Sequence, residues 1–280
     1  DPAFAAKVVK AYAEEWKRQG LPEKVFLYGY DEPNPEHYPF LREAYQAIRG
    51  AAPGYPVMQT IGDPNPEALV GLVDIWCPLT AAAGSSFYQQ RRQAGDTLWT
   101  YVCCSPKPPY ANFFVDEPAI DHRVLFWQTR QIGATGLLYW CLCWYEGLPN
   151  AASGQPCFPD VPIRFKDLST YQRYKVNGDG LLVYPGKGYE PLPSARLEVI
   201  RDGIEDYEYL ALLSRLVERA RSGAAGKRPP EAVLRRAEEL CGVPPTISQS
   251  MTLYTRDPQV LLERRRQVAD AIEALQRAVR

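Results

Sequence analysis

The chain of 280 residues has few histidines and no excess of charge of either sign. Its two histidines, His37 and His122, stand alone in the sequence, which disfavours a histidine-based metal site or a Ser-His triad. The 32 basic residues are balanced by 33 acidic ones, whereas a protein that binds nucleic acid or an anionic membrane would show a basic excess. No apolar run reaches the roughly 18 residues that a membrane span needs. These absences predict neither a nucleic-acid nor a membrane partner.

Two motifs of cofactor and metal sites are also missing. The seven cysteines include no CxxC pair, and this favours free thiols over a zinc cluster. No glycine-rich loop of the phosphate-binding type is present. We therefore expect no metal and no cofactor.

Proline and aromatic residues, by contrast, are abundant. The 26 prolines suit elaborate loops over a regular scaffold, and the 18 tyrosines and 6 tryptophans supply flat rings. The apolar faces of these rings match the C–H faces of a pyranose, while their polar edges stay hydrated. For any single ring, a place in the core is the alternative interpretation.

Strand-like and helical patterns alternate through the first half of the chain. A helix is predicted over residues 4–19, ending at Gly20. The predicted strands are 25–30, 57–61, 73–77, 97–104 and 136–145. The predicted helices between them are 37–50, 65–72, 85–93 and 120–132. Strands that are apolar throughout indicate a parallel sheet covered on both faces.

The second half of the chain has a different pattern. We expect a long irregular loop over 146–179, and loops of that length are usually functional. One more short strand is predicted at 181–184. Amphipathic helices are predicted over about 195–221, 229–241 and 257–279.

These patterns predict a TIM-type (β/α)8 barrel that is incomplete in this chain. Such a barrel takes about 250 residues and eight strands, but only five strong strand–helix units are visible, and the chain opens with a helix. We expect the first strands on a missing N-terminal segment of the same protein or on another chain. The expected domains are the barrel, 1–210, and a C-terminal helical extension, 211–280. An open doubly wound sheet is the alternative.

The segment Tyr28-Gly-Tyr-Asp-Glu-Pro33 carries the candidate chemistry. Asp31 and Glu32 follow a strand directly and precede a proline-rich loop. In βα-barrels the carboxyl ends of the strands form the active-site face. A solvated acidic turn, or a cap for the next helix, is the structural alternative.

The adjacency of the two carboxylates bears on mechanism. Retaining glycosidases usually place two carboxyl groups about 5–5.5 Å apart, and inverting ones about 6.5–9.5 Å, but neighbours on a strand point to opposite faces. The pair suits a different division of work, in which one carboxylate transfers the proton and the other holds a substrate group that acts as nucleophile. A 2-acetamido sugar supplies that group.

Several aromatic residues near the ends of predicted strands could bind a sugar. Trp99 and Tyr101 share one strand face, and Trp140 shares another with Trp144. The candidate substrate-binding residues are Tyr30, Trp99, Tyr101, Trp140, Trp144 and Tyr145.

A charge-dense segment runs from Arg196 to Glu208. Arg201 and Glu205 are one helical turn apart. We expect an ion-pair network that locks the last helix to the barrel. Contact of Asp202 or Glu205 with substrate is the alternative.

The segments Gly178–Gly186 and Ser194–Leu210 resemble the C-terminal signature of catalytic domains of glycoside hydrolase family 123. The Asp-Glu-Pro motif and the segments from Leu98 and Gly136 follow the expected order. The resemblance implies a (β/α)8 barrel with the acidic pair after its fourth strand, and a retaining β-N-acetylgalactosaminidase working through an oxazoline-type intermediate. Carried over, Glu32 is the general acid/base, Asp31 orients the acetamido group, and Tyr101 helps to hold its oxygen.

The expected partner is therefore a carbohydrate, a β-linked N-acetylhexosaminide. Two alternatives stay open. One is a non-catalytic carbohydrate-binding barrel. The other is a glycosidase for sugars without a 2-acetamido group, which needs a further carboxylate about 5–9 Å from Glu32. The candidates for that carboxylate are Asp63, Glu146 and Asp179.

Overall fold

The strands of the first half of the chain form one parallel sheet that curls as part of a barrel. The computed structural model describes residues 1–21, 25–144, 173–185, 190–224 and 226–279. The sheet has the order β1-β2-β3-β4-β5. Its strands are Leu27–Tyr28, Val57–Ile61, Ile75–Pro78, Thr97–Val102 and Gly136–Tyr139. Neighbouring strands in sequence are neighbours in space, so their carboxyl ends meet along one edge.

Two compact units make up the chain, and the first contains most of this sheet. It comprises Asp1–Tyr101 and Ile132–Leu138. Its helices are α1 (Pro2–Arg18), α2 (Tyr38–Ala51), α3 (Thr80–Ala83) and α4 (Ser86–Gln93). Short 3-10 turns occupy Pro35–His37 and Glu67–Leu69.

The core of the first unit lies between the sheet and its helices. Val57 and Ile61 of β2 pack there with Tyr45 of α2, and Trp76 of β3 meets Tyr88 of α4. Side chains alternate along a strand, so Met58 and Thr60 face the other side of the sheet, away from α2.

Most elements predicted for this part of the chain are confirmed, with shifted ends. Strand β2 has the predicted bounds. Helix α1 begins earlier than expected, because the Asp1 carboxylate accepts from Ala3 N at 2.8 Å and caps the helix. The predicted helix 65–72 is wrong, since only the 3-10 turn forms there. Five parallel strands are present among the described residues, and they are compatible with part of a barrel.

The second unit comprises Val102–Gln131 and Tyr139–Arg280. Its helices are α5 (Ala119–Gln131), α6 (Ala195–Arg221), α7 (Glu231–Leu240) and α8 (Pro258–Val279). The predicted strand at 181–184 forms as β6, Val183–Pro185, and pairs antiparallel with β7, Pro191–Pro193. Sequence analysis missed β7 because two of its three residues are proline. The predicted loop 146–179 lies largely outside the described residues.

One buried carboxylate joins three helices of the second unit. Asp206 of α6 is fully buried and accepts from Arg123 of α5 at 2.6 and 2.9 Å. It also accepts from the indole of Trp127 at 2.9 Å and from Arg265 of α8 at 2.8 Å. Glu205 pairs with Arg265 at 2.8 Å as well. The charge-dense segment therefore forms an ion-pair network, as expected. Helix α6 is continuous through residue 210, and the expected domain boundary there stays a prediction.

Among the described residues, no helix combines the length and the apolar character needed to cross a bilayer. The six described cysteines are free thiols, of which Cys77 is buried.

Candidate active site

Buried side chains fix the backbone just before the acidic pair. The Tyr30 N–H donates to the Tyr45 hydroxyl at 3.1 Å, and the Gln59 amide donates to the Tyr30 carbonyl. Tyr45 in turn donates to Gln59. A Cβ at Gly29 would lie 1.8 Å from the Tyr45 hydroxyl oxygen, so this position requires glycine. Helix α2 and strand β2 thus determine where the residues after Tyr30 begin.

Asp31 is exposed, and one of its two carboxylate oxygens is held by hydroxyl groups. Oδ1 accepts from the Tyr28 hydroxyl at 2.6 Å and from Thr60 Oγ1 at 3.0 Å. Burial and the bond to Asp31 raise the pKa of Tyr28 well above its ordinary value, so this hydroxyl remains a donor. Oδ2 has no hydrogen-bond partner among the described residues and can accept from a ligand.

Glu32 has a left-handed backbone conformation, with φ of 44°. Non-glycine residues rarely adopt positive φ, and such backbone strain is typical of functional sites. The positive φ at Glu32 breaks the strand-like alternation that would send the side chains of Asp31 and Glu32 to opposite faces. The Glu32 N–H lies 3.4 Å from Thr60 Oγ1, and its Oε1 accepts from the Tyr101 hydroxyl of β4. Thr60 therefore contacts both residues of the acidic pair.

A groove of about 450 Å³ opens at this end of the sheet. Asp63, which follows β2, lines it together with Glu32 and Tyr101. The other lining residues are Pro33, Asn34, Pro35, Gly62, Pro64 and Leu79. Asp63 accepts from the Tyr38 hydroxyl at 2.7 Å and from Asn65 N at 2.8 Å. Asp31 does not line this groove, but Thr60 Oγ1 donates to Asp31 and accepts from the Glu32 N–H, and so links the two residues.

Tyr30 and Trp99 also belong to the first unit. Tyr30 is 45% exposed, and its ring centroid is 5.3 Å from that of His37. Trp99 is half-buried and meets Phe26 edge to face at 5.2 Å. A Cβ at Gly136 would lie 2.7 Å from the Trp99 indole, so strand β5 approaches one side of that ring closely.

The remaining predicted aromatics lie in the second unit. Trp140 and Trp144 are 40% and 37% exposed, and their ring centroids are 5.1 Å apart at an interplanar angle of 57°. We call these two rings the tryptophan platform. Tyr145 lies outside the described residues. The structure thus brings Asp31, Glu32 and Tyr101 together in one unit, and pairs Trp140 with Trp144 in the other.

Sequence analysis missed the residues that hold the acidic pair. Tyr28 and Thr60 contact Asp31, and neither was a candidate. A signal was available, because Gln59 and Thr60 are polar residues within an otherwise apolar, fully buried strand. A polar residue in such a strand needs a hydrogen-bond partner, and these two contact the Tyr30 and Asp31 region.

Within the described part of the chain, no group of three or more His, Cys, Asp or Glu side chains could hold a metal ion. The groove offers the carboxylates of Glu32 and Asp63, to which the hydroxyl groups of Tyr101 and Tyr38 donate.

Comparison with known proteins bears on the family and the fold of the chain. The family model "Glycoside hydrolase 123, catalytic domain" matches residues 3–213. A solved family 123 glycoside hydrolase from Clostridium perfringens, studied for glycolipid glycan hydrolysis, shares the fold with a TM-score of 0.56 at 13% identity. The match covers 98% of this chain and 43% of that one, so the present chain spans less than half of the length of that protein. No curated protein matches the sequence. Because the family model covers most of its length, the chain belongs to glycoside hydrolase family 123.

Proposed function

We propose that the chain carries the catalytic centre of a retaining β-N-acetylhexosaminidase, of the β-N-acetylgalactosaminidase type, that uses the 2-acetamido group of its substrate as nucleophile. The observation that carries this proposal is the acidic pair itself. Asp31 and Glu32 are adjacent, yet separate hydroxyl groups hold them: Tyr28 donates to Asp31, and Tyr101 donates to Glu32. Each carboxylate thus has a tyrosine donor of its own and is oriented separately, so the two can take two different tasks.

Glu32 is suited to proton transfer because it lines the groove. In the proposed first step its protonated carboxyl gives a proton to the glycosidic oxygen as the bond from that oxygen to C1 breaks. The acetamido carbonyl oxygen attacks C1 from the opposite face and closes an oxazoline-type ring. In the second step the Glu32 carboxylate takes a proton from water, and this water opens the ring at C1. Two inversions give net retention.

Asp31 is suited to bind and stabilise the acetamido group of the substrate. Its Oδ1 is held by Tyr28 and Thr60, while Oδ2 remains available to accept the acetamido N–H. As the carbonyl oxygen attacks C1, positive charge develops on the acetamido nitrogen, and a nearby carboxylate stabilises that charge. We assign the hydroxyl of Tyr101 to the acetamido oxygen, since both it and Glu32 line the groove; in the bound complex its single proton turns from Glu32 Oε1 to that oxygen.

We assign the aromatic residues to sugar contacts. These are Tyr30 and Trp99 in the first unit and the tryptophan platform, with Tyr145, in the second. Tyr30, Trp140 and Trp144 are about 40% exposed, and rings of that exposure can stack on a pyranose and still pack against the protein behind them. We also propose that the five-strand sheet is part of a (β/α)8 barrel, because the acidic pair follows a strand at the carboxyl edge, where barrel enzymes place their chemistry.

Hydrolysis of aryl glycosides tests the activity. The full-length protein is expected to release nitrophenol from p-nitrophenyl β-N-acetylgalactosaminide or the glucosamine analogue, and a thiazoline that mimics the intermediate should inhibit it. Because the Clostridium perfringens protein was studied for glycolipid glycan hydrolysis, glycolipid glycans are a second substrate class to assay. Sugar binding without any hydrolysis would favour a non-catalytic carbohydrate-binding protein instead.

One observation favours a second candidate, a glycosidase for sugars without a 2-acetamido group. Asp63 lines the same groove as Glu32, so a two-carboxylate mechanism has a candidate partner there. Asp179, the other described candidate, is buried and 2% exposed, which removes it from contact with a substrate. Comparing Asp63→Asn with Asp31→Asn separates the two mechanisms. Substrate assistance predicts the larger loss of turnover for Asp31→Asn, whereas a nucleophilic Asp63 predicts the reverse, with resistance to the thiazoline.

A further inference from the structure

The tryptophan platform rests on a buried carboxylate of the Asn177–Leu181 segment. The Trp140 indole N–H donates to Asp179 Oδ1 at 3.1 Å, and the Tyr139 hydroxyl donates to the same oxygen at 3.2 Å. That hydroxyl also accepts from Gly180 N at 2.6 Å. Asp179 is 2% exposed, although the Trp140 ring that it binds is 40% exposed. The carboxylate therefore lies behind the ring and fixes its indole edge.

Gly180 contacts both rings of the platform. Its φ is +72°, and a Cβ there would lie 2.4 Å from Trp140 Cζ2 and 3.0 Å from Trp144 Cβ. The Gly180 carbonyl also accepts from Trp144 N at 2.7 Å. Any side chain at this position would displace an indole, so the turn fits closely against the platform.

Arg196 of α6 holds this turn in place. Its guanidinium is buried and donates to the carbonyls of Gly178 and Phe113, at 2.9 and 2.6 Å, and to that of Leu181. Three carbonyls bound to one cation leave the turn little freedom. Arg196 thus anchors the turn that carries Asp179 and Gly180 to helix α6.

We propose that Asp179 is a positioning residue: it orients Trp140, with Gly180 as the steric stop, so that the tryptophan platform presents a preformed apolar surface to a pyranose ring. This inference rests on the proposed function, because it takes a carbohydrate as the ligand of the platform. Orientation matters because an indole held in one rotamer loses less conformational entropy on binding than a mobile one. Asp179 itself does not touch the sugar.

The kinetic test compares Asp179→Ala with Asp179→Asn in the full-length protein, using p-nitrophenyl β-N-acetylgalactosaminide. Asp179→Ala should raise KM about tenfold and leave kcat within about twofold, because the lost ring orientation weakens binding and not the proton transfer. Asp179→Asn keeps an oxygen acceptor for the indole N–H and should restore KM to within about twofold of wild type. A role of the Asp179 charge in catalysis predicts instead that both variants lose kcat alike, and that result would overturn the proposal.

A double-mutant cycle tests whether Asp179 acts through Trp140. Phenylalanine has no indole N–H, so in a Trp140→Phe background the further change Asp179→Ala should add almost nothing to KM. Full additivity of the two changes would contradict the proposed route.

Glycine substitutions supply a matched control. Gly180→Ala should raise KM and alter tryptophan emission, since it combines backbone strain with a steric clash. Gly223→Ala carries the same strain, at φ of +77°, but a Cβ at this position would meet nothing within 4 Å, so the change should leave KM and emission unaltered. Equal effects of both variants would show that strain alone is responsible, and would overturn the role of the clash.

Binding separates failure of this proposal from failure of the proposed function. If the wild type hydrolyses no aryl N-acetylhexosaminide, the proposed function fails, and N-acetylgalactosamine is then titrated into wild type and Asp179→Ala with tryptophan emission as the signal. A response that is lost in Asp179→Ala supports the platform. An equal response in both proteins, or none in the wild type, overturns it.

Discussion

The acidic pair of the first unit and Asp206 of the second unit are held in opposite ways. In the first unit Asp31 and Glu32 are exposed, and hydroxyl groups of tyrosine and threonine donate to them. In the second unit Asp206 is completely buried and accepts from the guanidinium groups of Arg123 and Arg265. The same functional group is thus held by neutral donors in one place and by cations in the other.

This difference separates carboxylates that can take part in chemistry from carboxylates that stabilise the fold. A neutral hydroxyl orients a carboxylate without neutralising its charge, so the group can still exchange a proton or bind a cationic centre. Two guanidinium groups instead bind the carboxylate through charge-assisted hydrogen bonds. A carboxylate in such a network holds helices together, and its loss leaves buried cations without a partner. Four changes in the chain put this comparison to the test.

The largest effect is expected at Glu32. Glu32→Gln removes the transferable proton with little change in shape, and turnover of the aryl glycoside should fall by about two to four orders of magnitude. The thermal midpoint should barely change, because the side chain is exposed. Glu36→Gln, in the exposed 3-10 turn four residues on, is the control and should retain full activity. An unchanged rate in Glu32→Gln would remove Glu32 from the mechanism.

The next largest effect is expected at Asp206, and it concerns stability. Asp206→Ala leaves Arg123 and Arg265 without their shared partner, and should lower the free energy of unfolding by about 3–5 kcal/mol in urea titrations. Asp202→Ala, on the same helix but 39% exposed and 3.6 Å from Arg123, should cost less than about 1 kcal/mol. Similar losses for both variants would mean that burial does not set the strength of this network.

A smaller effect is expected at Thr60, which contacts both residues of the acidic pair. Thr60→Val removes the hydroxyl at nearly constant volume, and kcat/KM should fall about tenfold because Asp31 loses one of its two donors. Thr60→Ser should restore most of the activity. Thr100→Val is the matched control on β4, since its buried hydroxyl donates only to the Pro78 carbonyl, at 2.9 Å. If Thr100→Val loses as much activity, strand packing and not the hydroxyl of Thr60 is responsible.

The smallest effect is expected at Glu117, a carboxylate of the second unit that forms no ion pair with a described residue. Burial raises its pKa to about 7, and among the described residues its hydrogen-bond donor is Asn112 N, at 2.7 Å. The folded state therefore holds a proton that the unfolded state releases between about pH 4.5 and 7, so stability falls as pH rises through that window. Glu117→Gln should remove this slope and stabilise the protein by about 1 kcal/mol at pH 8. Unfolding titrations at pH 5 and 8 measure it; identical slopes in both proteins would contradict the assignment.

Much of the fold was predictable because apolar periodicity is local. The strand Val57–Ile61 and the helices α2, α4 and α5 follow directly from that pattern. Strand ends were not predictable in the same way: β1 is only Leu27–Tyr28, although the β-rich run continues to Tyr30. There the side chains of Tyr45 and Gln59 bind the backbone of Tyr30 in place of a neighbouring strand, and such partners are distant in sequence.

The candidate site, like the fold, was predictable only where the signal is local in sequence. Asp31 and Glu32 were identifiable because they interrupt an apolar run just before a proline-rich loop. The left-handed backbone at Glu32 was not, since it arises from contacts with Thr60 and Tyr101 on two other strands. The support of Trp140 by Asp179 was equally hidden, because nearly forty residues separate them in the chain.

Arg196 has a consequence for the way in which the protein is made. It supplies the guanidinium that binds the carbonyls of Phe113, Gly178 and Leu181, and those segments lie up to 83 residues before it in the chain. Synthesis proceeds from the N-terminus, so these carbonyls have no guanidinium to bind until α6 has left the ribosome. An expression fragment that ends before residue 196 would contain every candidate catalytic residue and still lack the group that fixes the turn behind Trp140. A minimal fragment of this chain must therefore include Arg196 and the helix α6 that carries it.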